Sequence, residues 1–144
     1  MTIARILREK GTQVVSVGLR DDALSIARTL AQHRIGAVLV RDSEGGILGI
    51  VSERDFIRAL AANGPDVAQL RAAELMTRVL HTVAPETHIA EALAMMTDRR
   101  VRHLPVLEGG KLAGMVSIGD LVKARIADAE MEASELRDYV STAG

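Results

Sequence analysis

The chain has no cysteine and no tryptophan, and its 144 residues include one phenylalanine and one tyrosine, Phe56 and Tyr139. Without a thiol, disulfides, thiolate catalysis and cysteine-ligated metal are excluded, and the composition fits a reducing compartment. Two isolated aromatics build no stacking platform for single-stranded nucleic acid, so any base bound here lies between aliphatic side chains. No apolar run approaches the roughly 18 residues of a membrane span, and the stretch from Met1 to Lys10 carries neither a secretory apolar core nor a cleavage site. Charge is also nearly balanced: 18 Lys and Arg against 19 Asp and Glu leave a net charge of -1. Such a chain has no general attraction to nucleic acid or to an anionic membrane. These absences predict a cytoplasmic protein with neither as a partner.

What is present is 48% apolar residues, enough for a sizeable core in one compact domain or in two half-domains too small to be comfortable alone. The most informative stretch occurs twice. Gly49-Ile50-Val51-Ser52-Glu53-Arg54-Asp55 and Gly114-Met115-Val116-Ser117-Ile118-Gly119-Asp120 share the pattern G-x-V-S-x-x-D, and each runs on into apolar positions at helical spacing. A strand entering a helix is predicted at both. Ser52 and Ser117 suit the N-cap, and Asp55 and Asp120 suit the third helical position, where the helix macrodipole favours a carboxylate. A cap alone needs only a hydroxyl or amide, yet the glycine, the valine, the serine and the aspartate all repeat. A hydroxyl and a carboxylate beside unpaired backbone N–H groups can also hold a ligand carrying hydroxyls and phosphate.

Taken in order, Ile3, Ile6 and Leu7 fall on one face of a short N-terminal helix, expected to pack on the repeat that follows. Thr12 to Val17 reads as a strand. A helix from Asp22 should turn Leu24, Ala27, Leu30 and Ala31 inward, and the apolar run Ile35 to Val40 reads as a strand covered on both faces. Asp42 to Gly46 is a hairpin turn into the strand Ile47 to Ser52. A helix from Arg54 to about Ala62 closes the unit, and Asp66 to Leu75 reads as a connecting helix. The same order returns 66 residues later, with Val83 matching Val17 and Val106 matching Val40, and the shift drops to 65 after a shorter turn at Glu108 to Gly110. This internal duplication predicts an α+β fold of two β-α-β-β-α repeats packed sheet to sheet as a pseudo-twofold pair. Its divisions are an N-terminal helix (1–11), repeat 1 (12–62), a linker helix (63–75), repeat 2 (76–126) and a C-terminal helix and tail (127–144). The apolar side of that last helix, with Ile126, Met131, Leu136 and Val140, requires a cover, and a homodimer is expected.

Other candidates have simpler readings. His33, His81 and His88 lack metal-ligand spacing, and Met95, Met96 and Met115 sit at core periodicity, so no metal is predicted. No serine, histidine and acid set and no glycine-rich phosphate loop offers catalysis, so no enzyme is predicted.

The doubled order of elements, the doubled G-x-V-S-x-x-D helix and the run Arg100-Val101-Arg102-His103-Leu104-Pro105-Val106 before the second hairpin resemble the tandem cystathionine-β-synthase (CBS) domain pair, or Bateman module, over about residues 12 to 126. The resemblance implies a regulatory, non-catalytic module that binds an adenosine-containing nucleotide in clefts between the halves. AMP leads the expectation, with ATP, ADP, NAD(H) or S-adenosylmethionine as alternatives, and an unidentified regulated protein reads the signal. Members commonly pair into flat dimers through their helices. A dimeric scaffold with vestigial clefts is the rival reading, and a nucleotide-dependent enzyme a third.

Carried over position by position, the resemblance makes Asp120 the ribose-binding carboxylate, whose two oxygens suit paired ribose hydroxyls, with Ser117 as its hydroxyl partner. Arg102 and His103 fall on phosphate-binding positions. Ser52 and Asp55 repeat the ribose pair for the other cleft. The counterparts of Arg102 and His103 in repeat 1 are Gly36 and Ala37, so only Arg34 and Arg54 are nearby cations there. Val15 and Ile35, with Lys10 and Thr12, line up with segments that flank adenine or reach toward phosphate in the cleft holding Asp120.

Overall fold

The computed structural model describes residues 1–78 and 81–143; of the expected divisions, repeat 2 and the C-terminal tail thus include residues 79, 80 and 144, which lie outside the described residues. The chain divides into two compact units, one of Met1–Gln13 with His81–Gly144 and the other of Val14–Leu80.

In the Val14–Leu80 unit, β1 (Ser16–Gly18) pairs parallel with β2 (Ala37–Arg41), β2 antiparallel with β3 (Ile47–Ser52), and β3 antiparallel with the two-residue β4 (Thr77–Arg78). The first four residues of β2, Ala37, Val38, Leu39 and Val40, are buried, as their unbroken apolar run requires. Helix α2 (Ala23–His33) starts at Asp22, whose carboxylate accepts from the Ser25 backbone N–H at 2.8 Å. Its buried residues are Ala23, Ile26 and Leu30, while Leu24 is 49% exposed, so the inward face is turned from the expected one and Ala31 is also exposed. Helix α3 (Glu53–Asn63) follows β3 directly.

The expected linker helix does not form as one piece. Gly64–Gln69, with Pro65 in its first turn, is a 3-10 segment; Leu70 is extended, and α4 spans only Ala72–Leu75. Tertiary pairing breaks the helix: the Leu70 carbonyl accepts from the Ala23 N–H, and the Ala72 N–H donates to the Asp21 carbonyl, both at 2.8 Å. Those groups are unavailable to a continuous helical ladder.

In the other unit, α1 (Ile3–Lys10) packs Ile3, Ile6 and Leu7 into a core with α5 (Ile89–Arg99), β5 (His103–Glu108), β6 (Lys111–Ser117) and the start of α6 (Ile118–Ala143). Helix α1 therefore lies on repeat 2 and not on the repeat that follows it. Its bonds mirror those of α4: the Ile3 N–H donates to the Thr87 carbonyl at 2.9 Å, and the Ile89 N–H to the Met1 carbonyl at 3.1 Å. Each body is thus completed by the segment preceding the other repeat. β5 and β6 form an antiparallel pair, and the counterpart of β1 is reduced to a bridge from Val83 to Val106.

The motif glycines mark where those leading segments land. A Cβ on Gly114 would stand 2.6 Å from Leu7 Cδ2; one on Gly49 would stand 2.7 Å from the Thr77 carbonyl oxygen and 2.8 Å from Met76 Sδ. Leu7 and Met76 hold equivalent places, and only a bare backbone lets either approach.

Candidate functional site

In the unit holding repeat 2, strand pairing puts His103 opposite Ser117, and the Arg102 carbonyl accepts from the Ile118 N–H at 2.9 Å. Arg102, His103, Ser117 and Asp120 are therefore gathered at one strand-to-helix junction. Ser117 and Asp120 form a reciprocal cap: the Asp120 N–H donates to Ser117 Oγ at 3.2 Å and the Ser117 N–H to Asp120 Oδ2 at 2.8 Å. Lys10, the last residue of α1, reaches the same oxygen; its Nζ donates to Asp120 Oδ2 at 2.7 Å and to the Met115 carbonyl at 2.9 Å. Gly11, at φ 98°, ends α1 immediately afterwards with its N–H on the Leu7 carbonyl at 2.7 Å.

Burial pushes the Asp120 carboxyl up, but the bonds from Lys10 and the Ser117 backbone, with the Lys10 charge, outweigh it and hold the group below its ordinary 3.8. Asp120 is accordingly ionised at neutral pH. Its side chain keeps 25% of its exposure. Lys10 and the Ser117 N–H both bond Oδ2. Arg102 is exposed and has no ion pair among the described residues, and Thr12 lies exposed beyond Gly11.

The corresponding pair in the Val14–Leu80 unit is differently employed. Asp55 is 4% exposed and takes four donors: the Ser52 N–H at 2.8 Å and Ser52 Oγ at 3.1 Å on Oδ2, and Thr77 Oγ1 at 2.8 Å and an Arg58 guanidinium nitrogen at 3.4 Å on Oδ1. A carboxylate has about four acceptor directions, so this one is spent on the fold. The expected ribose role of Ser52 and Asp55 would have to compete with these bonds. Sequence reasoning missed Thr77 and Arg58, whose only signals are a hydroxyl opening a two-residue strand and a cation three residues after an aspartate.

Gly36 and Ala37 stand where expected: the Gly36 carbonyl accepts from the Glu53 N–H at 3.1 Å, as Arg102 does for Ile118, and Ala37 pairs with Ser52. Arg34 caps α2 in the left-handed conformation at φ 54°, a strain repeated by Arg100 at φ 55° after α5. With Ile35, Gly36, Glu53 and Phe56, it lines an open groove of about 500 Å3 within this unit. Arg54 is exposed in the first turn of α3. Val15 and Ile35 are half-buried against this unit's core.

The chain belongs to the CBS domain family, whose model matches it twice, at residues 3–62 and 72–127. Both matches begin on the leading helices α1 and α4, so each repeat includes the helix that packs on the other body. The chain is 32% identical over 147 residues to the mitochondrial CBS domain-containing protein CBSX3 of Arabidopsis thaliana, covering 96% of this chain and 71% of that one. It spans a little over half, 58% and 57%, of two archaeal relatives. Among solved structures it is similar to the CBS-domain containing protein ATU1752 of Agrobacterium tumefaciens, at 40% identity and TM-score 0.84, covering 86% of this chain and 92% of that one. The fold is also that of the CBS domain pair of protein MJ0100, solved with 5-methylthioadenosine and S-adenosyl-L-methionine, at 21% identity and TM-score 0.75 over 86% of this chain and 98% of that one. Among the described residues no helix is long and apolar enough to cross a membrane.

Proposed function

We propose that this protein is a cytoplasmic, non-catalytic sensor that binds an adenosine-containing nucleotide at the Ser117–Asp120 junction and passes the signal to a partner protein as a homodimer. The observation that carries the reading is the asymmetry between two equivalent aspartates: Asp55 is buried and fully engaged, whereas Asp120 is ionised, partly exposed and bonded through Oδ2. Ribose hydroxyls donate to the partly exposed Asp120 carboxylate. Arg102 and Lys10 supply cations for phosphate beside it, and His103 stands on the same strand end. Thr12, exposed beyond Gly11 in the same unit, has the phosphate-reaching role that its family position suggests. Support for an adenosine ligand comes from the family and from the ligands with which the MJ0100 structure was solved. In repeat 1, Ser52 and Asp55 hold β4 to α3 and leave Arg34 and Arg54 as the cations near Gly36 and Ala37.

Calorimetry with AMP, ATP, NADH and S-adenosylmethionine tests this directly. Binding by the native chain should weaken by about 1.5 to 3 kcal/mol in Asp120→Ala, the range for a hydrogen bond to a charged group. Absence of heat with all four ligands would leave the scaffold reading, which the Lys10–Asp120 pair favours because it neutralises the carboxylate without any ligand.

A further inference from the structure

We propose that α6 joins two copies of this chain through a parallel, in-register, two-stranded coiled coil. Helix α6 is one uninterrupted helix from Ile118 to Ala143, so its positions can be placed on a single heptad frame. Val122, Ile126, Ala129, Ala133, Leu136 and Val140 follow one another at spacings of 4, 3, 4, 3 and 4, the alternation of d and a positions. All six are exposed, Ile126 at 54%, Leu136 at 64% and Val140 at 63%. At about 100° per residue this seam lies roughly 130° around the helix from Leu121, Ala124 and Asp128. Those three face their own unit, Leu121 and Ala124 in its core and Asp128 3.9 Å from Arg5. The seam is thus left uncovered by its own unit. Met131, although apolar, falls at the outer f position and is no part of it.

Charge selects the occupant and its direction. On this frame Arg125 and Glu132 are g positions and Glu130 and Arg137 are e positions. In a parallel pair each g residue meets the e residue five positions on in the other helix. Arg125 then meets Glu130 of the second copy, and Glu132 meets Arg137, so every contact is attractive and each occurs twice. An antiparallel pair with Ala129 opposite Ala133 stacks its apolar layers equally well. Its flanks, however, set Glu130 against Glu130, Glu132 against Glu132 and Lys123 against Arg137. None of Arg125, Glu130, Glu132 and Arg137 has an ion partner within the chain among the described residues. The β-branched Ile126 and Val140 at a, with Leu136 at d, suit two strands.

The inference deepens the homodimer part of the reading above and is independent of nucleotide. The full chain carrying Ala129→Cys, or separately Ala133→Cys, is oxidised; with no native cysteine there is no background. Each variant alone should give a covalent dimer, with circular dichroism matching the native chain. A covalent dimer only from a mixture of the two variants would show an antiparallel pair and overturn the proposal, as would no cross-link from either. Light scattering separates the two readings: a dimer without the cross-link refutes the coiled coil alone, and a monomer refutes both. Glu132→Arg and Arg137→Glu should each weaken dimerisation roughly tenfold, with the double variant restoring it. A double variant as weak as either single one would show that these residues do not meet.

Discussion

Lys10 Nζ lies 2.7 Å from Asp120 Oδ2 across 110 positions of chain, joining the end of α1 to the first turn of α6. The pair is partly exposed, at 41% and 25%, so its own contribution to stability is at most about 1 kcal/mol. Its larger effect is on charge: with the Ser117 backbone it lowers the Asp120 pKa at the place proposed for a ribose, and it ties that place to the leading segment of the opposite repeat.

The lowered pKa of Asp120 gives a pH dependence of definite sign. A carboxyl held below its unfolded value stabilises the fold above that value and loses the contribution as pH falls through the folded value. Native chain and Asp120→Asn should therefore differ most at neutral pH, and the gap should close from about pH 4 downward. Urea unfolding of both across that range checks it; a gap that widens on acidification would reverse the assignment.

The two equivalent aspartates should fail differently. Asp55→Ala removes an acceptor from four donors at a site 4% exposed, and should cost about 3 kcal/mol of stability. Asp120→Ala, which loses a cap and a partly exposed ion pair, should cost about 1 kcal/mol and act mainly on ligand affinity. Denaturant midpoints rank them. Equal losses would mean that both carboxylates are structural.

Gly49→Ala should destabilise more than Gly114→Ala. The new methyl group meets the Thr77 backbone carbonyl in the first case and the end of the flexible Leu7 side chain in the second. Overpacking of this kind costs about 1 to 3 kcal/mol, and Leu7→Ala should recover part of the Gly114→Ala loss, since the two residues share one space. Additive losses in the Leu7 and Gly114 pair, read from thermal unfolding, would argue against the contact.

Arg102→Ala should flatten the preference for AMP over adenosine. Losing a cation from a phosphate weakens AMP by about 1.5 to 3 kcal/mol, while adenosine has no phosphate to miss. Titrations of both ligands into native and variant chains decide it. An unchanged ratio would make Arg102 a solvated surface charge.

The duplication, the order of strands and helices, the caps at Ser52 and Ser117 and the family were legible in the sequence, because each rests on local spacing or on a pattern stated twice. The buried β2 run and the N-terminal face of Ile3, Ile6 and Leu7 were legible for the same reason. Which body that face would cover was not. The packing of α1 with repeat 2 and of α4 with repeat 1, and the break of the expected linker helix at Leu70, depend on long-range backbone pairing that has no local signature. The same holds for the aspartates: identical in motif, they part company because Thr77 and Arg58 close over Asp55 while Lys10, from the far end of the chain, reaches Asp120. Periodicity determined what each element would bury, and only the meeting of distant segments decided which carboxylate is sealed in and which stays partly exposed.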